Sequence, residues 1–185
     1  MEEKFREFDF NIQKWRRYYN KLYKYYDGCH NITRAVEALS GTSAFVAAVA
    51  LAPIWITGML TGLVGVAATL DLVFRPDKKI PLLAKLYREF TLLGAELHDC
   101  DKTDENLKLF KRKRDILLAE DLSEKKLVEI SAHNDEMRAR GYPESDFLPL
   151  KPYQRWLGYV APIGLRQIEN ELRTKKLDSS NNLAE

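Results

Sequence analysis

Two short clusters hold the softest ligands of this chain, Cys29-His30 and His98-Asp99-Cys100. Thiolate and imidazole are the donors of a zinc site, but a tetrahedral site needs spacings that converge, such as Cys-x-x-Cys or His-x-x-x-His. Neither spacing occurs. Adjacent residues on a helix point apart, and straight antiparallel helices rising about 1.5 Å per residue would hold the two clusters far from each other. No metal site and no cofactor is expected. His30, His98 and His133 show no Arg-plus-His nuclease spacing and have no serine or cysteine nucleophile nearby. The chain also lacks a glycine-rich phosphate loop, because Gly58, Gly62 and Gly65 sit in an apolar run. No catalytic residue is assigned, and the chain is expected not to be an enzyme.

Three other patterns carry possible function. Thr57, Thr61, Val64, Ala68 and Asp71 recur at steps of four and three, so a helix would place them on one face. Hydroxyls and an acid on one face can line a water-filled path, since ionisable residues inside membranes usually point inward. The plainer reading sets Asp71 at the interface, one turn from Arg75, with the threonines bonding their own backbone. Gly58, Gly62 and Gly65 form a small-residue stripe that lets membrane helices pack closely. Lys111-Arg112-Lys113-Arg114 is the densest basic run. Four consecutive positions cover all sides of a helix, which reads as a solvated segment or, alternatively, as a contact with anionic lipid or a charged partner.

The element that must position the first two patterns is the stretch from Ala38 to Leu70, which has no formal charge. Hydrocarbon tolerates backbone polar groups only when a helix already bonds them, and about 20 apolar residues cross it. This run is too long for one span and just long enough for two short ones. Pro53 divides it into Val36–Ala52 and Ile54–Phe74. The residue before a proline avoids the helical region, so the first helix should end at Ala52, with Pro53 to Gly58 as the turn and Trp55 at interface depth. Arg16, Arg17, Lys21, Lys24 and Arg34 precede the run, and Arg75, Lys78, Lys79, Lys85 and Arg88 follow it. Basic flanks favour the cytoplasmic side, and an even number of spans satisfies both. A single Pro-kinked span and a buried hairpin are the rivals.

Composition limits the remaining classes. Among 185 residues, 29 are basic and 27 acidic, giving a net charge of +2. That balance is far from a nucleic-acid footprint, so no direct nucleic-acid contact is expected. The mean hydropathy of −0.37 averages over a strongly apolar middle and charged flanks. Two cysteines in polar flanks fit a reducing cytoplasm. The first 30 residues, polar and aromatic, do not read as a signal peptide.

Outside the apolar run the pattern is helical. Phe5, Phe8, Ile12, Trp15, Tyr19, Leu22, Tyr26 and Cys29 recur at steps of three or four, and Tyr18, Tyr23 and Tyr25 widen the stripe. Packing on a partner helix is the simple reading; a stacking platform for bases would need a basic groove beside it. Gly28 would either interrupt this helix or allow close packing. Leu83, Leu86, Tyr87, Phe90, Leu93 and Leu97 mark a second long helix that could pair with the first as a coiled-coil-like stalk. Thr103 can cap a third helix bearing Leu107, Phe110, Leu117 and Leu118. Ser123 and Glu124 open a fourth, ending at Gly141 and Pro143. Tyr153–Val160 is a short amphipathic piece for the membrane surface or the stalk, and the tail from Thr174 reads as disordered.

The layout of amphipathic helix, short two-span hairpin and long amphipathic helix, with the segment PLLAKLYREFTLLGAEL after the second span, resembles the SLATT family of two-span membrane proteins. The resemblance covers about residues 10–160. It implies a pore-forming effector of bacterial antiviral systems, linked with nucleotide signalling, that arrests or kills the infected cell. The family offers no catalytic residue to carry over.

The expectation is therefore an all-α, oligomeric membrane protein. Residues 1–34 form an N-terminal amphipathic helix, 35–75 a two-span hairpin, 76–141 cytoplasmic helices, and 142–185 a Pro/Trp-rich segment and tail. Both termini face the cytoplasm at a bacterial inner membrane. The partners are other copies of the chain, the bilayer and a cytoplasmic sensor protein. The expected action is permeation or depolarisation of that membrane. The alternative is a non-catalytic adaptor that recruits a cytoplasmic partner.

Overall fold

The structure is a computed structural model that describes residues 1–42, 50–74, 76–121 and 125–159, with 165 and 168. It is all-α. Among the described residues the helices are α1 (Glu2–Ser40), α2 (Ile54–Phe74), α3 (Pro76–Asp99), α4 (Asp104–Ala119), α5 (Lys126–Ala139) and α6 (Pro152–Leu157), with a 3₁₀ turn at Glu144–Asp146. The chain divides into two compact units. One contains Met1–Leu22 and the residues from Ala84 onward; the other is Tyr23–Leu83.

In the first unit, the apolar stripes foreseen for α1 and α3 form a core. Phe5, Phe8, Ile12, Tyr19 and Leu22 are buried, as are Leu86, Phe90, Leu93 and Leu97. The Tyr19 and Phe90 rings stack at 5.3 Å, and a Cβ on Gly94 would lie 3.1 Å from Gln13 Nε2 and 3.6 Å from Ile12 Cγ2. With His98 Nε2 3.6 Å from Asp9, these pairings run the two helices antiparallel. α3 ends at Asp99, and Thr103 caps α4: its hydroxyl accepts the Asn106 N–H at 3.2 Å. Such a cap satisfies one of the donors a helix start leaves open. α4 buries Leu107 and Phe110.

α5 packs across α1. Phe10 meets His133 edge-on at 5.1 Å, Lys14 pairs with Glu129 at 2.9 Å, and the Lys125 N–H donates to Tyr18 Oη at 2.9 Å. Ser123 and Glu124, the expected opening of this helix, lie outside the described residues, and Lys125 occupies the N-cap. The helix closes at Gly141, whose φ of 76° is a left-handed conformation that glycine adopts without a Cβ clash. Asn134 then staples the following loop by giving to, and accepting from, the backbone of Leu148 at 2.8 and 2.9 Å. α6 docks on α5: Gln154 and Gly158 are buried, and Leu127 Cβ lies 2.7 Å from where a Gly158 Cβ would stand. The segment Tyr153–Val160 was expected on the membrane surface or on the α1–α3 stalk; its described part packs on α5 instead. The tail from Thr174 lies outside the described residues.

In the second unit, α1 continues without a break through Gly28, where an added Cβ would meet nothing within 4 Å. It runs past the expected end at residue 34 and stops at Ser40, inside the expected first span. The Ser40 and Thr42 hydroxyls donate to the Glu37 and Leu39 carbonyls at 2.9 and 2.8 Å, and Gly41 follows the last helical residue. Short hydroxyl side chains compete for backbone groups in this way and favour helix ends. Residues 43–49 lie outside the described ones. The chain bends at Ala52, Pro53 is non-helical, and α2 starts directly at Ile54, where the Pro53 carbonyl accepts from Ile56 and Thr57 N–H. The turn is thus tighter than the expected Pro53–Gly58 loop. Among the described residues no helix is long and apolar enough to cross a membrane.

Candidate functional site

The Tyr23–Leu83 unit is built the opposite way from a soluble core. Its described buried residues are few, among them Tyr26, Thr33 and Leu83, while large apolar side chains face outward. Leu51 is 88 % exposed and Ile54 90 %, and Trp55, Met59 and Val66 are also exposed, along with Ile32 and Leu39 on α1. A lone exposed leucine needs no explanation, but a contiguous run of this kind marks a membrane or protein contact. Within this unit Lys79 Nζ lies 3.3 Å from Tyr26 Oη and 5.0 Å from the ring centroid, a cation–π contact that ties α3 to α1.

The residues singled out as a stripe all fall on α2. Thr57 and Val64 are half-buried and Thr61 is exposed. The side chains of Ala68 and Asp71 lie outside the described ones. The Thr57 hydroxyl donates to the Pro53 carbonyl at 3.5 Å, and Thr69 donates to the Gly65 carbonyl at 2.8 Å. Thr57 belongs to the stripe and Thr69 does not; each bonds the backbone one turn before it. Gly58, Gly62 and Gly65 would each meet nothing within 4 Å if a Cβ were added. Among the described residues, no part of the chain packs into that stripe.

The basic run on α4 is not one patch. Lys113 pairs with Glu96 at 2.7 Å and lies 5.4 Å from the Phe110 ring. Arg114 pairs with Asp115 at 2.7 Å and lies over the Phe8 ring at 5.4 Å. Lys111 and Arg112 stand exposed. Two of the four residues are thus used inside the fold, and two face outward. Cys29 and Cys100 are free thiols, and among the described residues no group of three His, Cys, Asp or Glu side chains could hold a metal ion.

What the sequence reading missed is an ion-pair ladder between α1 and α5. Arg17 Nε donates to Glu136 at 2.7 Å, Arg140 donates to Glu136 at 2.8 Å and to Asp9 at 2.6 Å, and Lys21 pairs with Asp135 at 2.6 Å. Glu136 is only 4 % exposed. A carboxylate so buried is tolerable because two guanidiniums hold it. Burial alone would lower the Arg140 pKa, but Glu136 and Asp9 outweigh it and hold the pKa above the usual value. At Glu129, burial raises the pKa, while hydrogen bonds and charge from Lys126 and Lys14 bring it below the usual carboxylate range. His133 is pushed down, first by burial and then by the Lys14 charge, against the pull of Glu129. The signal was present as two stripes, basic at 14, 17 and 21 and acidic at 129, 135 and 136. It becomes readable only once the two helices are known to be neighbours. The ladder clamps one helix to another; it aligns no nucleophile with a base.

No family model, no curated protein and no solved structure matches this chain.

Proposed function

We propose that this chain is an oligomeric, membrane-inserted helical protein of the SLATT-like kind that permeabilises or depolarises a bacterial inner membrane without catalysing a reaction. The exposed apolar run from Leu51 to Val66 carries the reading, because water penalises it by about 25 cal/mol per Å² and a bilayer does not. In this reading residues 36–52 and 54–74 are the two arms of the hairpin, both termini stay cytoplasmic, and Gly58, Gly62 and Gly65 pack against other copies. The Thr57, Thr61, Val64, Ala68 and Asp71 face lines the path. Antiviral defence and a cytoplasmic sensor are what the family resemblance adds. A non-catalytic membrane adaptor is the second reading.

Dye release from liposomes separates the two readings. The permeation reading expects release by the wild-type chain, a marked loss in Thr61→Leu with assembly intact, and an altered cation preference in Asp71→Asn, because carboxylates at a pore mouth attract cations. An adaptor would bind the vesicles and release nothing. Unchanged selectivity in Asp71→Asn together with full release by Thr61→Leu would remove this face from the path and point to Ser43, Ala47 and Ala50 of the first arm.

A further inference from the structure

α6 is turned inside out for a helix in water. Its buried positions are Gln154 and Gly158, with Gly158 against Leu127 of α5, while Pro152, Tyr153 and Trp156 stand exposed. Gln154 is 1 % exposed, its side-chain oxygen accepting the Lys151 N–H at 2.9 Å, whereas Tyr153 is 46 % and Trp156 82 % exposed. Tyr153 and Trp156 are three positions apart and share a face. Rings with an apolar body and a polar end belong to the boundary between membrane and water. The charge around this face is net positive. From Phe147 to Ile168 the sequence has no acid and carries Lys151, Arg155 and Arg166. Arg155 pairs with Asp135 at 3.3 Å, but Lys21 at 2.6 Å and Arg138 at 3.4 Å share that one carboxylate. Glu144, 3.9 Å from Arg138, is the second acid nearby. Lys151 is exposed and, among the described residues, forms no ion pair.

We propose that the Tyr153–Trp156 face of α6 is a contact with the headgroup layer of an anionic bilayer. The two rings seat among the headgroups, and Lys151 and Arg155 meet lipid phosphates. Aromatic residues beside cations are how a helix lies in that layer, with attraction to anionic lipid adding to the apolar contact. A stable protein partner needs about 800 Å² on each side, more than the outer face of a six-residue helix offers. A bilayer needs only the rings and the cations. The proposal takes its partner from the membrane reading above and rests on neither the hairpin nor a pore.

The test uses the full chain with vesicles of phosphatidylcholine, alone or with phosphatidylglycerol added. In a chain carrying Trp15→Phe and Trp55→Phe, Trp156 is the single tryptophan. On anionic vesicles its emission should shift to the blue. A quencher on the headgroup should act on it more strongly than bromine deep in the acyl chain. Lys151→Glu should lower the headgroup quenching roughly two-fold or more. Its circular dichroism should match the parent, because among the described residues Lys151 pairs with nothing. An environment-sensitive fluorophore on Tyr153→Cys, with Cys29→Ser and Cys100→Ser, gives a second reading that keeps all three tryptophans, and it should shift in the same way. Quenching indifferent to lipid charge, or a Trp156 that stays solvated, would overturn the contact. So would a blue shift that needs more protein and no lipid, which would assign the face to a protein partner. A solvated Trp156 with Trp55 at acyl depth would overturn this contact and leave the hairpin. Trp156 at the headgroups with a solvated Trp55 would overturn the hairpin and leave the contact.

Discussion

Glu136 is the residue on which the α1–α5 contact depends most. It is buried between Arg17 and Arg140 at 2.7 and 2.8 Å. Removing one partner of a buried pair costs about 3–5 kcal/mol, because the other charge is left without compensation. Here both guanidiniums keep some solvent and Arg140 keeps Asp9, so Glu136→Ala should cost about 3 kcal/mol, read as a fall in thermal midpoint by circular dichroism. Lys85→Ala removes an exposed pair and should cost about 1 kcal/mol or less. Equal losses in the two variants would contradict the buried role of Glu136. His133 sets the pH response. Its folded pKa lies below its ordinary value, so the stability it contributes is complete above that value, about 6.5, and is lost as pH falls through the folded pKa. Glu129, also depressed, acts in the same direction at lower pH, below the usual carboxylate range. The thermal midpoint should therefore fall between pH 7.5 and 5.5, and His133→Gln should flatten that fall. A slope unchanged by the substitution would remove His133 from the account.

At the scale of elements, the close approach of α5 and α6 is the tightest point described. A Cβ at Gly158 would stand 2.7 Å from Leu127 Cβ and 2.8 Å from the Gln154 carbonyl oxygen. Gly158→Ala must move backbone and should cost about 1–3 kcal/mol. Gly28→Ala meets open space inside a helix and should stabilise by about 0.5–1 kcal/mol. Thermal unfolding of the two variants should shift in opposite directions, and a shared direction would contradict the packing described. The apolar stripes of α1 and α3, the Thr103 cap and the boundary at Pro53 were legible in the sequence, because each is a local signal of period, cap or missing N–H. The end of α1 was not, since the apolar run reads on through Ser40 with no charge and no proline to mark a stop. The α1–α5 ladder was hidden for a different reason: its stripes lie more than 100 residues apart, as with Lys14 and Glu129. Nothing local reports such a pairing.

The whole molecule combines two units of opposite character. One buries its aromatic and aliphatic side chains and ties them with ion pairs; the other turns leucine, isoleucine, tryptophan and methionine outward. The lack of any charge from Ala38 to Leu70 made that second unit visible in the sequence, whereas the occupant of its outward face has no local signal. The same holds for the Thr57–Asp71 stripe, whose period is legible and whose lining role is not. The permeation reading depends on the apolar run residing in a bilayer. Trp55 lies in it and is exposed in the chain alone. In a chain carrying Trp15→Phe and Trp156→Phe, Trp55 is the single tryptophan, and its quenching by lipids brominated along the acyl chain measures its depth. Strong quenching with a blue-shifted emission on adding vesicles is the expected result. An emission that stays at the wavelength of a solvated indole and is unaffected by brominated lipid, while the protein is bound to the vesicles, would contradict the account.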